Sequence, residues 1–385
     1  MSVYLVLLGI AVAWVLVYVV LKYVFSRDVE KGENVSLYPL FIMLKAKRVT
    51  GPLDRIANKF PAFWDAVSRI AIVTGVGMAA LAVFVLANNL LTYLFRPETV
   101  GPQNIVIPLI IGVTIKLEHI PYLLIALGIV LITHEGMHGI IARREGLPVK
   151  SAGVFLLFIL PGGFVEPDEQ AFRNAHLNAR IRVAAVGSFA NLIVGIIAVF
   201  LVLGLFTSTE QGLLVSEVSE DSKIPVGEVI VSVEGIPVNS YTVRFKNITL
   251  GETITVTGLK GEYTYQVRGE FVGSEFPLGT LIRSLGIERV DYYFPLRFMD
   301  ADPGAVYTLY RTLSWLQLVS IGVAVFNMLP IHMLDGSIIL RSFLERYTRD
   351  GRKINGATLA ATAVCLGLLA SNVIFTYNTF GFFQL

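Results

Sequence analysis

The sequence contains a single cysteine, Cys365, among 385 residues, and few charged residues. An intramolecular disulfide and a cysteine-rich zinc ribbon are therefore both excluded. Charged residues make up 16% of the chain, the formal net charge is only +2, and no long basic tract is present, so nothing indicates nucleic-acid binding. Hydrophobic residues reach 54%, too many for an ordinary soluble protein. The composition predicts that most of the chain lies in a lipid bilayer.

Apolar runs long enough to cross about 30 Å of hydrocarbon occur at six places. The first run exceeds a signal-peptide core and has no small-residue cleavage site after it, so we interpret it as a retained span. Two shorter apolar segments, 104–115 and 153–164, contain Pro or Gly-Gly and are predicted to be re-entrant or interfacial. The six runs lie near 3–25, 70–95, 121–142, 181–206, 306–329 and 356–377.

The distribution of Lys and Arg predicts the orientation of these spans. Segment 26–69 carries eight basic residues, whereas segment 97–120 carries only Lys116. By the positive-inside rule the first segment is cytoplasmic and the second lies outside. Continued alternation places residues 207–305 outside and the basic residues between 341 and 353 inside. The absence of an organellar targeting segment favours a multi-pass protein of a prokaryotic plasma membrane.

One stretch, residues 210–270, alternates apolar and polar residues with period two and is punctuated by Gly and Pro. This pattern predicts a small soluble β-rich domain between the fourth and fifth spans. The predicted fold class is therefore an all-α membrane bundle of about six spans with a β-rich insert. Its parts are a membrane region at 1–206, an extracytoplasmic insert at 207–305 with the β-rich domain over about 210–270, and a membrane region at 306–385.

A metal-binding pattern lies in the third predicted span, where His134, Glu135 and His138 form an H-E-x-x-H sequence. Helix positions four apart share one face, so two imidazoles can hold one zinc ion while the glutamate reaches the metal-bound water. Ionisable side chains inside a membrane are costly, which favours a functional role over a purely structural one in helix packing. His134 lies 13 residues beyond Pro121, about 20 Å along the helix, which predicts a site in the cytoplasmic half of the membrane.

A catalytic zinc usually takes a third protein ligand and leaves its fourth position to water. Asp335 is the best candidate, because it follows the fifth predicted span on the same cytoplasmic side, at a break caused by Pro330. His332 is the rival ligand. Alternatively, Asp335 caps the helix that follows it.

These residues resemble those of the site-2 protease family of intramembrane metalloproteases. In that family an H-E-x-x-H in one span and the aspartate of an N-x-x-P-x-x-x-L-D-G motif in a later span bind zinc. A family element of the form G-x-x-x-N is matched by Gly187 and Asn191. The second motif is matched by Asn327, Pro330, Leu334, Asp335 and Gly336.

The resemblance implies a zinc endopeptidase that cuts membrane proteins in or near their transmembrane segments, with one zinc per chain and Glu135 as the base. Asn191 and Asn327 are candidates for contacts to the oxyanion or the substrate backbone, although Asn191 can equally serve in an interhelical hydrogen bond. Segment 153–164 would offer extended backbone to an unwound substrate, with a hinge at Gly162 and Gly163, or it is a purely structural loop. An upstream protease that trims substrates is an expected partner.

The insert resembles a PDZ domain, a module that binds chain ends by adding a strand to an open sheet edge. The alternative is a β-rich domain without a peptide groove. For the whole protein, the competing interpretations are an ion transporter and a non-catalytic scaffold that captures peptides. The segment that looks like a carboxylate-binding loop consists of Gly212, Leu213, Leu214 and Val215.

Overall fold

The computed structural model divides into two compact units, residues 1–196 with 315–385, and residues 197–314. It describes residues 12, 14–20, 22–23, 35–38, 41–46, 50–111, 113–157, 160–240, 244–246, 253–266 and 275–382. In chain order the elements are β1 (Val35–Tyr38), β2 (Phe41–Ala46), α1 (Thr50–Lys59), α2 (Pro61–Phe95), α3 (Ile120–Arg144), β3 (Val149–Leu157), β4 (Leu160–Pro167), α4 (Glu169–Asn174), α5 (Leu177–Leu205), β5 (Leu213–Val218), β6 (Val229–Val233), β7 (Ile236–Pro237), β8 (Arg244–Lys246), β9 (Thr253–Gly258), β10 (Glu262–Gln266), β11 (Glu275–Pro277), α6 (Leu278–Ser284), β12 (Ile287–Tyr292), α7 (Pro303–Asn327), α8 (Asp335–Tyr347) and α9 (Gly351–Phe380).

Five helices in the described part of the chain, α2, α3, α5, α7 and α9, are long and apolar enough to cross a membrane. Between 22% and 33% of the most apolar window of each helix is buried, so the remaining apolar surface is available to lipid. These helices coincide with the second to sixth predicted spans. The first predicted span, 3–25, lies largely outside the described residues, of which 14–20 are helical. The chain is therefore a multi-pass membrane protein.

Small side chains and buried amides join the membrane helices of the first unit. One core contains three alanines without exposed surface: Ala71 on α2, Ala185 on α5 and Ala324 on α7. Such small residues let helix backbones approach closely. Near the other end of α2, the Asn89 Nδ2 donates a 2.7 Å hydrogen bond to Asn372 Oδ1 on α9. The alanines bring the helices together without burying any polar side chain. The paired asparagines satisfy each other's hydrogen-bonding groups without water.

The first unit also contains a four-stranded antiparallel sheet in the order β1-β2-β3-β4, so the prediction of an all-α membrane region was wrong. Segment 153–164 contributes to two of these strands, and Gly162 and Gly163 lie inside β4 rather than at a hinge. The reason is steric. A side chain at Gly162 would place its Cβ 2.0 Å from the ring of Phe155, its partner on β3, so glycine makes room for the aromatic ring.

The second unit is built on a sheet in the order β10-β9-β6-β5-β12, with β7 paired to β6. Its core continues past residue 270, because Leu281, Leu285 and Ile287 are each about 99–100% buried and belong to the same cluster as Ile230 and Val256. The predicted limit of about 270 for the β-rich domain therefore leaves out α6 and β12. Mixed composition hid these two elements from the sequence pattern.

The predicted peptide-binding loop, Gly212 to Val215, is not an open edge in the structure. Leu213, Leu214 and Val215 begin β5, which pairs with β6 on one side and β12 on the other. Their side chains are buried. Backbone groups that already pair with two neighbouring strands cannot receive an added peptide strand, so this part of the prediction is corrected.

Candidate metal centre

Three side chains from two helices converge at one point. The Nε2 atoms of His134 and His138, one turn apart on α3, lie 3.1 Å from each other. The Oδ2 atom of Asp335, the first residue of α8, lies 3.2 Å from the first of these nitrogens and 3.4 Å from the second. Among the described residues, these three form the group of His, Cys, Asp and Glu side chains that could hold a metal ion.

The spacing of these atoms fits a tetrahedral metal. Zinc binds imidazole nitrogen and carboxylate oxygen at about 2.0–2.1 Å, so neighbouring ligand atoms in a tetrahedron lie about 3.3 Å apart. The observed triangle has sides of 3.1, 3.2 and 3.4 Å. The Oδ2 atom of Asp335 is buried and accepts no hydrogen bond in the structure, which leaves it available to a cation.

Asp335 and His332, the two candidates for the third ligand, occupy different positions relative to the two histidines. Leu334 occupies the N-cap position of α8, and no side chain caps this helix, so Asp335 does not act as a cap. His332 is exposed and does not belong to the metal-ligand group. The geometry therefore favours Asp335 over its rival.

A strained turn delivers Asp335 to the histidines. Met333 has φ of 79°, in the left-handed region that non-glycine residues rarely adopt. Just after Asp335, a Cβ at Gly336 would lie 2.1 Å from the carbonyl oxygen of Met328, so only glycine lets α8 start this close to the end of α7. This close approach explains the glycine that follows the aspartate in the sequence motif.

Glu135 lies beside the metal group without joining it. Its Oε2 atom accepts a 3.0 Å hydrogen bond from the backbone N–H of Val165 on β4. A cavity of about 740 Å³ reaches this glutamate, both histidines and Asp335. Glu135 thus lies between the three grouped side chains and the last strand of the sheet, and it faces this cavity.

The wall of this cavity also carries charged groups, including Lys150 and Glu169. The Lys150 ammonium lies 3.0 Å from a carboxylate oxygen of Asp168. The N–H of Ala171, followed by that ammonium, lowers the pKa of the Asp168 carboxyl below its ordinary value. Lys150 and Glu169 therefore make one part of the cavity wall polar and charged.

The two predicted asparagines occupy different places. Asn327 lines the cavity, and its Nδ2 atom lies 3.4 Å from His134 Nε2. Asn191 is completely buried and lies behind the metal group, with its Nδ2 position 3.0 Å from the other ring nitrogen of His134, Nδ1. Of these two asparagines, Asn327 is the one that faces the cavity.

Gly187, the first residue of the G-x-x-x-N element, provides space for the imidazoles. A Cβ at this position would lie 2.4 Å from His138 Nε2 and 2.8 Å from His134 Cε1. Both distances are well inside van der Waals contact. A side chain on this face of α5 would therefore displace a metal-binding nitrogen.

We predict that Gly187→Ala weakens zinc binding, although alanine favours a helix by about 1 kcal/mol over glycine. The reason is the clash of the new methyl group with the two imidazoles. The matched control is Gly204→Ala on the same helix, where an added Cβ meets nothing within 4 Å. Zinc titration against a competing chelator checks both variants, and equal affinity in the two would contradict the steric argument.

The sequence of the chain is similar to those of several known proteins. Residues 122–370, which include His134, His138 and Asp335, match the model of "Peptidase family M50". The chain is 29% identical over 226 residues to an uncharacterized protein of Methanocaldococcus jannaschii, covering 58% of this chain and 57% of that one. It is 26% identical over 231 residues to the "Membrane-bound transcription factor site-2 protease homolog" of Arabidopsis thaliana, covering 56% of this chain and 44% of the relative.

The aligned parts thus correspond to about half the length of these curated relatives. The match to the family model covers more of this chain than either relative does, because it extends from the third predicted span into the last one. It contains the H-E-x-x-H sequence, the glycine and asparagine of α5, and the aspartate that begins α8. The chain belongs to peptidase family M50, the family of site-2 proteases.

Proposed function

We propose that this protein is a zinc-dependent endopeptidase that hydrolyses peptide bonds in or near the transmembrane segments of other membrane proteins. The observation that carries the proposal is the triangle of His134, His138 and Asp335 beside Glu135. The two histidines and the glutamate lie on α3, which is long enough to span a bilayer. Cleavage of a purified single-span substrate, lost on chelation of zinc, tests it.

The side chains around the triangle have distinct roles in this proposal. His134, His138 and Asp335 would hold the zinc ion, which when bound would activate a water molecule and polarise the scissile carbonyl. Glu135 takes a proton from the water and passes it to the leaving amine. Because the N–H of Val165 occupies Oε2, the Oε1 atom remains for this transfer. The amide of Asn327 donates to the substrate oxygen as negative charge develops there.

Strand β4 is suited to hold the substrate next to Glu135. A membrane helix has all its amides paired, so it must unwind before a protease can cut it, and its freed backbone then needs new partners. β4 ends the order β1-β2-β3-β4, and the N–H of its Val165 binds the catalytic glutamate. We infer that an unwound substrate segment pairs along this strand in extended form.

The orientation follows from the basic residues of the loops. We infer that segment 26–69 and the segment around residue 350 are cytoplasmic, and that residues 207–305 are extracytoplasmic. The metal would then lie in the cytoplasmic half of a plasma membrane. Water would enter past the charged part of the cavity wall, from the cytoplasm.

This orientation predicts the accessibility of single cysteines introduced after Cys365→Ala. Ser240→Cys should react with a membrane-impermeant reagent on intact cells, and Arg349→Cys only after permeabilisation. Both positions are exposed, and Arg349 is preferred to Asp350, whose carboxylate caps α9. Labelling in the opposite order would invert the topology.

The second unit is proposed to select substrates instead of taking part in hydrolysis. All of the described residues that line the cavity at the metal group belong to the first unit. We infer that the folded insert, whose resemblance to a PDZ domain stays a prediction, excludes substrates with bulky extracytoplasmic portions. Substrates trimmed by another protease would then be preferred.

Removing the insert should relax this discrimination without loss of catalysis. The N–H of Gln211 donates a 2.8 Å hydrogen bond to the Tyr293 carbonyl, so the two ends of the β-rich domain already meet. Residues 212–292 can therefore be replaced by a short Gly-Ser linker. The variant should bind zinc, cut short single-span substrates as the parent does, and also cut long ones. A zinc-loaded variant that cuts nothing, or that still rejects long substrates, would contradict the filter.

A further inference from the structure

Each metal-binding histidine has a second ring nitrogen, and the partner of that nitrogen decides which end of the ring can bind a metal. For His138, Nδ1 lies 2.6 Å from the backbone carbonyl oxygen of Val183 on α5. A carbonyl oxygen can only accept a hydrogen bond, so the proton of the neutral ring must be on Nδ1. The Nε2 lone pair of His138 is then free and points toward Asp335.

His134 needs the same arrangement, but its Nδ1 faces a carboxamide, that of Asn191, at 3.0 Å. A carboxamide has one end that accepts and one that donates. If the NH₂ end faced Nδ1, that nitrogen would be unprotonated and the proton would occupy Nε2. The ring would then have no lone pair for a metal.

Thr133 permits either end of the amide to face the ring. In the structure the NH₂ end of Asn191 lies toward His134 Nδ1, and the Thr133 hydroxyl donates to Asn191 Oδ1 at 3.1 Å. The same hydroxyl lies 2.9 Å from the carbonyl oxygen of Ile129, so it can donate there instead and accept from the Asn191 NH₂ group. The two ends of a carboxamide have nearly the same shape and exchange by a half-turn of the group. A metal on Nε2 of His134 requires the turned orientation, in which Asn191 Oδ1 accepts from the Nδ1–H of His134.

The partners of both histidines come from one face of α5. Val183, Gly187 and Asn191 are spaced four residues apart, so they lie above one another along the helix. The earlier residue on α5, Val183, meets the later histidine, His138, and the later residue, Asn191, meets the earlier histidine, His134. The Val183 carbonyl meets one imidazole, the Asn191 amide meets the other, and the missing side chain at Gly187 leaves space between them.

We propose that Asn191 is a positioning residue, which holds His134 in the tautomer with a free Nε2 by accepting its Nδ1 proton on Oδ1. This assignment replaces a contact to the substrate, and it rests on the proposed zinc site. Asn191 is completely buried, and it is absent from the described residues that line the cavity. It therefore acts on the metal through His134 alone.

The central test is zinc affinity, measured by competition with a chelator. Asn191→Leu removes the acceptor while keeping the side-chain size, and should weaken zinc binding about 10- to 100-fold, the range for loss of an outer-shell partner. Asn191→Asp keeps an acceptor for Nδ1–H, and Thr133 can donate to its other oxygen. Its affinity should therefore stay within a few-fold of the parent.

The matched control is Asn372→Leu, which removes another completely buried amide from the same unit. Asn372 bonds to Asn89 and to the carbonyl of Leu86, away from the histidines. Its replacement should lower the melting temperature of the metal-free protein without changing zinc affinity. Parent-like zinc affinity in Asn191→Leu, or equal weakening by the Leu and Asp variants, would overturn the proposal.

A second measurement needs no substitution at Asn191 and remains decisive if Asn191→Leu fails to fold. In zinc-loaded parent protein with ¹⁵N-labelled histidine, NMR should show a proton on Nδ1 of His134 and none on Nε2. Zinc bound through Nδ1, with the proton on Nε2, would contradict the assignment. Neither measurement depends on cleavage. A protein that binds zinc but cuts no substrate would refute the proposed function, whereas zinc affinity and NMR would still decide the role of Asn191.

Discussion

Glu135→Gln is expected to reduce cleavage by about 10²- to 10⁴-fold, the contribution of a general base, while zinc binding remains close to that of the parent. Glu135 contacts the N–H of Val165 and is not one of the three grouped ligands. Glutamine keeps the size of the side chain and can still accept this hydrogen bond through its amide oxygen. It cannot take a proton from water at neutral pH. Single-turnover cleavage and zinc content, measured on the same preparation, check both parts.

The control for this variant is Glu169→Gln, which removes a carboxylate at the cavity rim. Glu169 is largely exposed and pairs with Arg173 on α4. Exposed ion pairs contribute little, so cleavage should change less than about threefold. If Glu135→Gln lost its zinc, Glu135 would be a ligand and its assignment as the base would be wrong.

Replacing any one of the three ligands is expected to remove both zinc and activity. His134→Ala, His138→Ala and Asp335→Ala each take away one corner of a triangle whose sides measure 3.1, 3.2 and 3.4 Å. Zinc affinity should fall by more than the roughly 10- to 100-fold that follows loss of an outer-shell partner. Metal analysis after dialysis against a weak chelator, with cleavage assayed in parallel, measures the effect.

His332→Ala is the matched control, because this histidine lies three residues before Asp335 on the same turn. Its side chain is exposed, and the described contact of the residue is a 3.0 Å bond from its backbone N–H to Thr362 Oγ1. The variant should keep full zinc and activity. Loss of zinc in His332→Ala together with full zinc in Asp335→Ala would reverse the choice of third ligand.

Much of the metal centre could be predicted from the sequence because its residues are close in sequence or lie in a specific motif. His134 and His138 are one helical turn apart, so their convergence follows from helix geometry alone. Asp335 was predicted from its position after the fifth span and from the resemblance, since the 196 residues between His138 and Asp335 prevent any local argument. The five described apolar helices agree with the predicted spans because length and hydrophobicity determine spanning segments directly.

The parts that the sequence did not predict depend on backbone groups and long-range pairing. No pattern indicates that the Val183 carbonyl meets His138, or that the Val165 N–H holds Glu135. β2 pairs with β3 across more than 100 residues, and apolar strands within a membrane protein resemble short pieces of helix. β12 was missed for a related reason, since its partner β5 lies about 70 residues earlier.

The most direct test of the account is cleavage of a single-span substrate in liposomes by the parent protein before chelation, after chelation and after return of zinc. The account predicts one zinc per chain, loss of cleavage when the metal is removed, and recovery when zinc is restored. Cleavage that persists in protein shown to be free of metal, or a zinc-loaded parent that cuts no membrane substrate, would contradict it.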